Sequence, residues 1–171
     1  KEKEIGTIEQ LNVSPVRKHE LIIGKLFPVL IIGFLELSAG LLISKLIFNI
    51  PFRGSLLTLY SLTFIYLISI LSFGILISII AETQQQAMFL SWFFMVVFIL
   101  LSGVFTSIES MPLWAQTLTK FIPLTYYIFS LRNILLKGAQ FNDLRNVFII
   151  LLIFAIVISS AAMLKFKKTN D

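Results

Sequence analysis

Four long apolar stretches dominate this 171-residue sequence and decide its solvent. They run over about residues 21–48, 55–81, 87–105 and 147–164, and the second and third carry no charged residue. A helix needs about 20 predominantly apolar residues to cross a hydrocarbon core of about 30 Å. Inside lipid every backbone N–H and C=O must be bonded within the chain, which leaves helices as the economical solution for runs of this kind. Composition closes the alternative. The chain is 57% hydrophobic and 13% charged, with a mean hydropathy of +0.94, whereas soluble domains average about 45–50% apolar and about 25% charged. A soluble chain of this size has too little interior to hide so much Leu, Ile and Phe. The reading is an all-α, polytopic membrane bundle of four transmembrane helices in one domain.

Four spans place both ends on one side. The terminal segments hold eight Lys/Arg (Lys1, Lys3, Arg17, Lys18, Lys25, Lys165, Lys167, Lys168). The opposite side holds Arg53, Lys120, Arg132, Lys137 and Arg145, with Lys45 near it. That bias predicts cytoplasmic ends in a plasma membrane. The net charge of +5 is scattered between apolar runs rather than gathered in a stripe, so no nucleic-acid partner is expected. There is no cysteine and a single His19, which excludes disulfides, thiolate chemistry and a multi-histidine metal site. No metal or cofactor is expected. The first residue is Lys1, and the charged opening reads as carrying no signal peptide; a fragment of a longer protein is the expectation.

Residues 106–143 are mixed. Ser110 is a candidate helix cap with Pro112 in the first turn, followed by Trp114, Leu118 and Phe121 at helical spacing. Pro123 breaks the pattern. A second helix is expected over residues 124–137, with Gly138 as its stop. Each piece is too short to span, so the pair reads as an interfacial or re-entrant hairpin. Tyr126 and Tyr127 suit an interfacial belt.

Polar groups inside the spans are the next candidates. Glu36 sits mid-span, where an ionisable group is costly and a functional candidate. Gly33, Glu36, Gly40 and Ser44 share one helical face, so Glu36 is expected to face protein or water. It reads either as a structural, hydrogen-bonded carboxyl or as a substrate-path or proton-sensitive group. Thr58, Ser61, Ser69 and Ser72 share an arc of about 80°; packing contacts between helices are the plain reading, and a polar path lining the other. Trp92, Phe93, Phe94 and Phe98 read as lipid-facing or packed bulk.

Ahead of the first span, Thr7-Ile8-Glu9-Gln10 matches a helix-starting capping box, and Glu9 suits the positive first turn. Ser14-Pro15 ends that helix. It is expected to be one to two turns long and to expose Ile8 and Leu11 as a docking ridge for another protein. Catalytic signatures are missing. Gly24-Lys25 has His19 where a phosphate-binding loop needs glycine, and there is no H-E-x-x-H or G-x-S-x-G. The chain is not expected to be an enzyme.

Five segments carry a resemblance: E-K-E-I-G-T-I-E-Q-L-N-V-S-P-V (2–16) with E-L-I-I-G-K-L-F-P (20–28), E-T-Q-Q-Q-A-M-F (82–89), L-S-G-V-F-T-S-I-E-S-M-P-L-W-A-Q (101–116) and L-R-N-I-L-L-K-G (131–138). Together they resemble the permease subunits of type-2 ABC exporters, along essentially the whole chain. The resemblance implies the C-terminal four spans of such a permease, in a bacterial inner membrane. It implies that Thr7, Ile8, Glu9, Gln10 and Leu11 form a coupling helix on a separate ATP-binding subunit. Glu82, Thr83, Gln84 and Gln85 would form a second cytoplasmic loop near that subunit. Glu109, Pro112, Trp114 and Pro123 would belong to an extracellular re-entrant pair, and the third span would help pair two permease copies or paralogues. Ile122 stands before Pro123 where relatives often carry Asn, which removes a cap. The implied function is export of a drug-like molecule, lipid or lipid-linked glycan, driven by ATP hydrolysis in the partner, with membrane lipid as a further partner. The alternative is a proton-coupled secondary transporter using Glu36.

Overall fold

The computed structural model describes residues 18–168, so the segment holding Thr7, Ile8, Glu9, Gln10 and Leu11 lies outside the described residues. Every regular element within them is helical. Four long helices, α1 (Lys18–Leu46), α2 (Leu56–Ile80), α3 (Gln84–Leu101) and α6 (Arg145–Lys168), correspond to the four expected spans. All four contain a segment long and apolar enough to cross a membrane. Between α3 and α6 lie a 3-10 turn (Ile108–Ser110), α4 (Leu113–Thr119), α5 (Pro123–Arg132) and a π-helical turn (Asn133–Lys137).

Local sequence explains the boundaries. Ser55 caps α2, its hydroxyl accepting from the Thr58 N–H at 3.4 Å. The Thr83 hydroxyl accepts from the Gln86 N–H at 3.1 Å while the Gln86 side chain accepts from the Glu82 N–H at 3.0 Å. Those two bonds form a close variant of the capping box. They start α3 at Gln84, three residues earlier than the apolar run predicts. The same helix stops at Leu101 rather than at residue 105, because the chain turns at Gly103 (φ +83°), a left-handed conformation that favours glycine.

The core lies where α2 and α6 run side by side in parallel. Leu59, Leu62, Ile134, Leu144, Phe148 and Leu151 form one buried cluster, and Leu37 and Leu41 of α1 pack on it. α3 has no buried residue, and joins the bundle through Phe73 of α2, whose ring meets those of Phe94 and Phe98 at 5.1 and 5.4 Å. The expected aromatic run therefore divides. Phe94 and Phe98 pack inward, while Trp92 and Phe93 are exposed. Large apolar residues such as Phe27, Leu35, Leu42 and Leu57 cover the outside, as a bundle solvated by hydrocarbon requires.

Candidate functional site

The hairpin of α4 and α5 is the irregular part of the bundle, and its neighbours set its depth. α4 has 7 residues and α5 has 10. The Tyr127 ring stacks on Tyr66 with centroids 4.3 Å apart, and its hydroxyl lies 3.1 Å from that of Thr63. Thr63 already donates to the Leu59 carbonyl at 2.8 Å, so Tyr127 donates in that pair. Thr63 and Tyr66 lie about 10–15 Å along α2 from its start, at 1.5 Å per residue. The Tyr126 ring meets Phe154, nearly as far into α6, and its hydroxyl donates to the Lys120 carbonyl at the turn. The hairpin thus descends beside α2 and α6 and returns to the end of the bundle from which it came. Tyr127 packs into the bundle against Tyr66 and Thr63.

Details at its mouth differ from expectation. Ser110 is not the cap of α4. Its hydroxyl donates to the Ser107 carbonyl at 2.7 Å inside the 3-10 turn, and Pro112 occupies the cap position with no side-chain bond. Proline fixes φ near the helical value, but it offers no side-chain acceptor to the first N–H groups of α4. Gln116 fastens the segment instead, donating to the Met111 carbonyl at 2.8 Å. Glu109 and Trp114 are exposed. Pro123 is buried at the first position of α5, after an Ile122 that makes no cap bond. The helix then passes Arg132 into a π turn and stops at Gly138 (φ +74°). Pro123 and Gly138 thus mark the start and stop expected for this helix.

The end of the hairpin is locked to the α1–α2 loop. The Arg53 N–H donates to the Leu135 carbonyl at 3.4 Å. A Cβ on Gly54 would meet the Ile134 carbonyl oxygen at 2.5 Å, and one on Gly138 would meet the Arg53 carbonyl oxygen at 3.2 Å. Two glycines therefore permit backbone-to-backbone contact. Arg132 also reaches the Val104 carbonyl at 3.3 Å, holding the segment after α3. All four sections of chain at this end meet through the hairpin.

The hydroxyls of α2 divide between two roles. Ser72 and Ser159 are 2.7 Å apart across α2 and α6, and buried Ser69 donates to Ile65 and, at 3.5 Å, approaches the Leu151 carbonyl. Ser61 is exposed and bonds only its own helix, to the Thr58 carbonyl. The sequence does not single out Ser38 and Tyr60, whose hydroxyls join α1 to α2 at 2.7 Å, or Thr63, and it marks Tyr127 only as an interfacial residue, not as the partner of Thr63. A tyrosine facing a small hydroxyl residue across 22 or 64 positions has no local signature. Gly33 packs against Leu67, but Glu36 and Gly40, on the same stripe, are exposed on α1. Glu36 stands at the centre of the Leu26–Leu46 span, and no described residue bonds it. Glu82, Thr83, Gln84 and Gln85 cluster at the opposite end of the bundle from the hairpin, all exposed. Among the described residues no group of His, Asp and Glu is placed to hold a metal.

Comparison with known proteins agrees with this architecture. Residues 1–164 match the model of the ABC-2 family transporter protein. The chain is 38% identical over 168 residues to the "Probable multidrug ABC transporter permease YbhR" of Escherichia coli, covering 98% of this chain and 46% of that one. It is 36% identical over 140 residues to "Probable multidrug ABC transporter permease YbhS", covering 81% and 37%. It is 23% identical over 158 residues to the "Linearmycin resistance permease protein LnrN" of Bacillus subtilis, covering 92% and 41%. The chain thus spans about half the length of the curated relatives it matches. No solved structure matches it. Four apolar helices, a short helical hairpin packed between them and a family match along nearly the whole sequence lead to one conclusion: this multi-pass membrane chain belongs to the ABC-2 family of transporter permeases.

Proposed function

We propose that this chain is the four-span portion of the membrane-spanning permease subunit of an exporter that moves a hydrophobic or amphipathic substrate, driven by ATP hydrolysis in a separate ATP-binding subunit. The observation that carries this reading is the family match over residues 1–164, joined to relatives named as multidrug and resistance permeases. The chain itself supplies spans and docking surfaces. Both its ends lie in the cytoplasm of a plasma-membrane protein, and the α4–α5 hairpin enters from outside. The Thr7–Leu11 segment docks on the ATPase, with Glu82–Gln85 beside it, and α3 helps pair two permeases. Leu11→Asp tests the coupling step. An aspartate replaces part of an apolar ridge that meets the ATPase, and neither insertion nor folding of the spans depends on it. The variant permease should reach the membrane in normal yield, fail to pull down its ATPase and lose export. Normal ATPase binding and normal export would refute the assignment.

A further inference from the structure

We propose that the hairpin end of the bundle carries a binding site for the phosphate headgroup of an anionic phospholipid, centred on Arg53 and Lys137 with Arg145 beside them. At this end Lys45, Arg53, Arg132, Lys137 and Arg145 are all exposed, against only Glu109 and Asp143. Asp143 is already engaged, one carboxylate oxygen accepting from the Gln140 N–H at 2.9 Å. No carboxylate of a described residue pairs with Arg53, Lys137 or Arg145.

The fold forces these cations together. Arg53 is held by its own backbone, through the Leu135 carbonyl, and Gly138 lies so close that a Cβ there would be 3.3 Å from the Arg53 Cβ. Lys137 is the next residue, at the end of the π turn. Leu144, in the same buried cluster as Leu59 and Ile134, brings Arg145 to the same rim. The two parallel helices also begin here, with no acidic residue in the first turn of α2 or α6. Helix starts are positive and usually attract carboxylates; here they meet arginines. Five cations gathered at a membrane-water boundary against two carboxylates, neither of them paired with Arg53, Lys137 or Arg145, call for an anion from outside the chain. The boundary itself supplies one at the right height, a lipid phosphate, to which Arg presents a forked donor and Lys a point charge. A headgroup there would bridge the α1–α2 loop and the hairpin exit.

Native mass spectrometry of the purified permease tests this, titrated separately with phosphatidylglycerol, phosphatidylcholine and inorganic phosphate. Each cation near an anionic surface is worth about a factor of five in affinity. Arg53→Gln with Lys137→Gln should therefore weaken phosphatidylglycerol binding roughly thirtyfold, while Lys120→Gln, at the deep turn, leaves it unchanged. Gln at position 53 keeps the backbone N–H, so a folded variant is expected, and an unchanged melting temperature verifies it. Undiminished phosphatidylglycerol binding by the double variant would overturn the site. Equal binding of phosphatidylcholine would overturn it in favour of acyl-chain contacts, and competition by inorganic phosphate in favour of a free anion.

Discussion

Gly54→Ala strikes the contact that joins the α1–α2 loop to the hairpin. The added methyl would lie 2.5 Å from the Ile134 carbonyl oxygen and 2.8 Å from its Cγ2, where ordinary contact begins at 3.4 Å. The loop must therefore withdraw by about 0.9 Å, and the obstacle is backbone rather than the end of a flexible side chain. Overpacking a tight site costs about 1–3 kcal/mol. Withdrawal also stretches the Arg53–Leu135 bond, already 3.4 Å long, and a lost bond adds about 1 kcal/mol. The expected total is roughly 2–4 kcal/mol. Gly74→Ala is the control, because a Cβ there meets nothing within 4 Å, and Ala is favoured over Gly inside a helix by about 0.5–1 kcal/mol. Thermal unfolding of the purified permease, followed by the fluorescence of Trp92 and Trp114, should show a fall of several degrees for Gly54→Ala and none for Gly74→Ala. Equal melting temperatures for the two variants would show that the loop does not rest on the hairpin.

Three further outcomes are expected. Ser72→Ala leaves the Ser159 hydroxyl without its 2.7 Å partner and should cost about 1 kcal/mol; the double variant with Ser159→Ala should cost less than the sum of the singles, and strict additivity in the cycle would deny the bond. Thr83→Ala removes the side-chain cap of α3 and should lower stability by about 0.5–2 kcal/mol, read as faster amide exchange over the first turn of α3, with unchanged protection counting against the cap. Glu36→Gln should preserve transport at normal protein level; loss of transport would instead favour proton-coupled or charge-dependent use of this carboxyl.

Spans were legible in the sequence because the bilayer imposes a length and a polarity that any reader of the chain can measure. Residues 55–81 and 147–164 carry no charged side chain, and α2 and α6 cover them to within a few residues. Pro123 and Gly138 announced the two limits of one hairpin helix for backbone reasons that hold in any environment: a missing N–H at one end and a left-handed φ at the other. The π turn between Arg132 and Gly138 had no such sign, since its residues are ordinary helix formers and tertiary contact with Arg53 and Gly54 determines their geometry.

What failed to show in the sequence is which side of each helix meets which neighbour. The stripe through Gly33, Glu36, Gly40 and Ser44 is real as a periodicity, yet only Gly33 touches α2 closely, because α1 leans on α2 over a narrow line running through Phe34 and Ser38 to Tyr60 and Phe64. A helical wheel assigns faces but not partners. The hydroxyl arc of α2 teaches the same point: Ser69 and Ser72 find α6, while Ser61, on the same arc, finds only its own helix. In water the apolar side of a helix identifies the core. In a membrane both sides are apolar, so the pattern that locates a soluble core is erased, and partner choice passes to sparse hydroxyl and glycine contacts between residues far apart in the chain. Glu36 is the case where that rule bites hardest. A carboxyl in the middle of a span is costly, yet Glu36 is exposed on α1 and no described residue bonds it. The stripe through Glu36 and Gly40 is thus exposed, and at Glu36 the periodicity identifies no partner among the described residues.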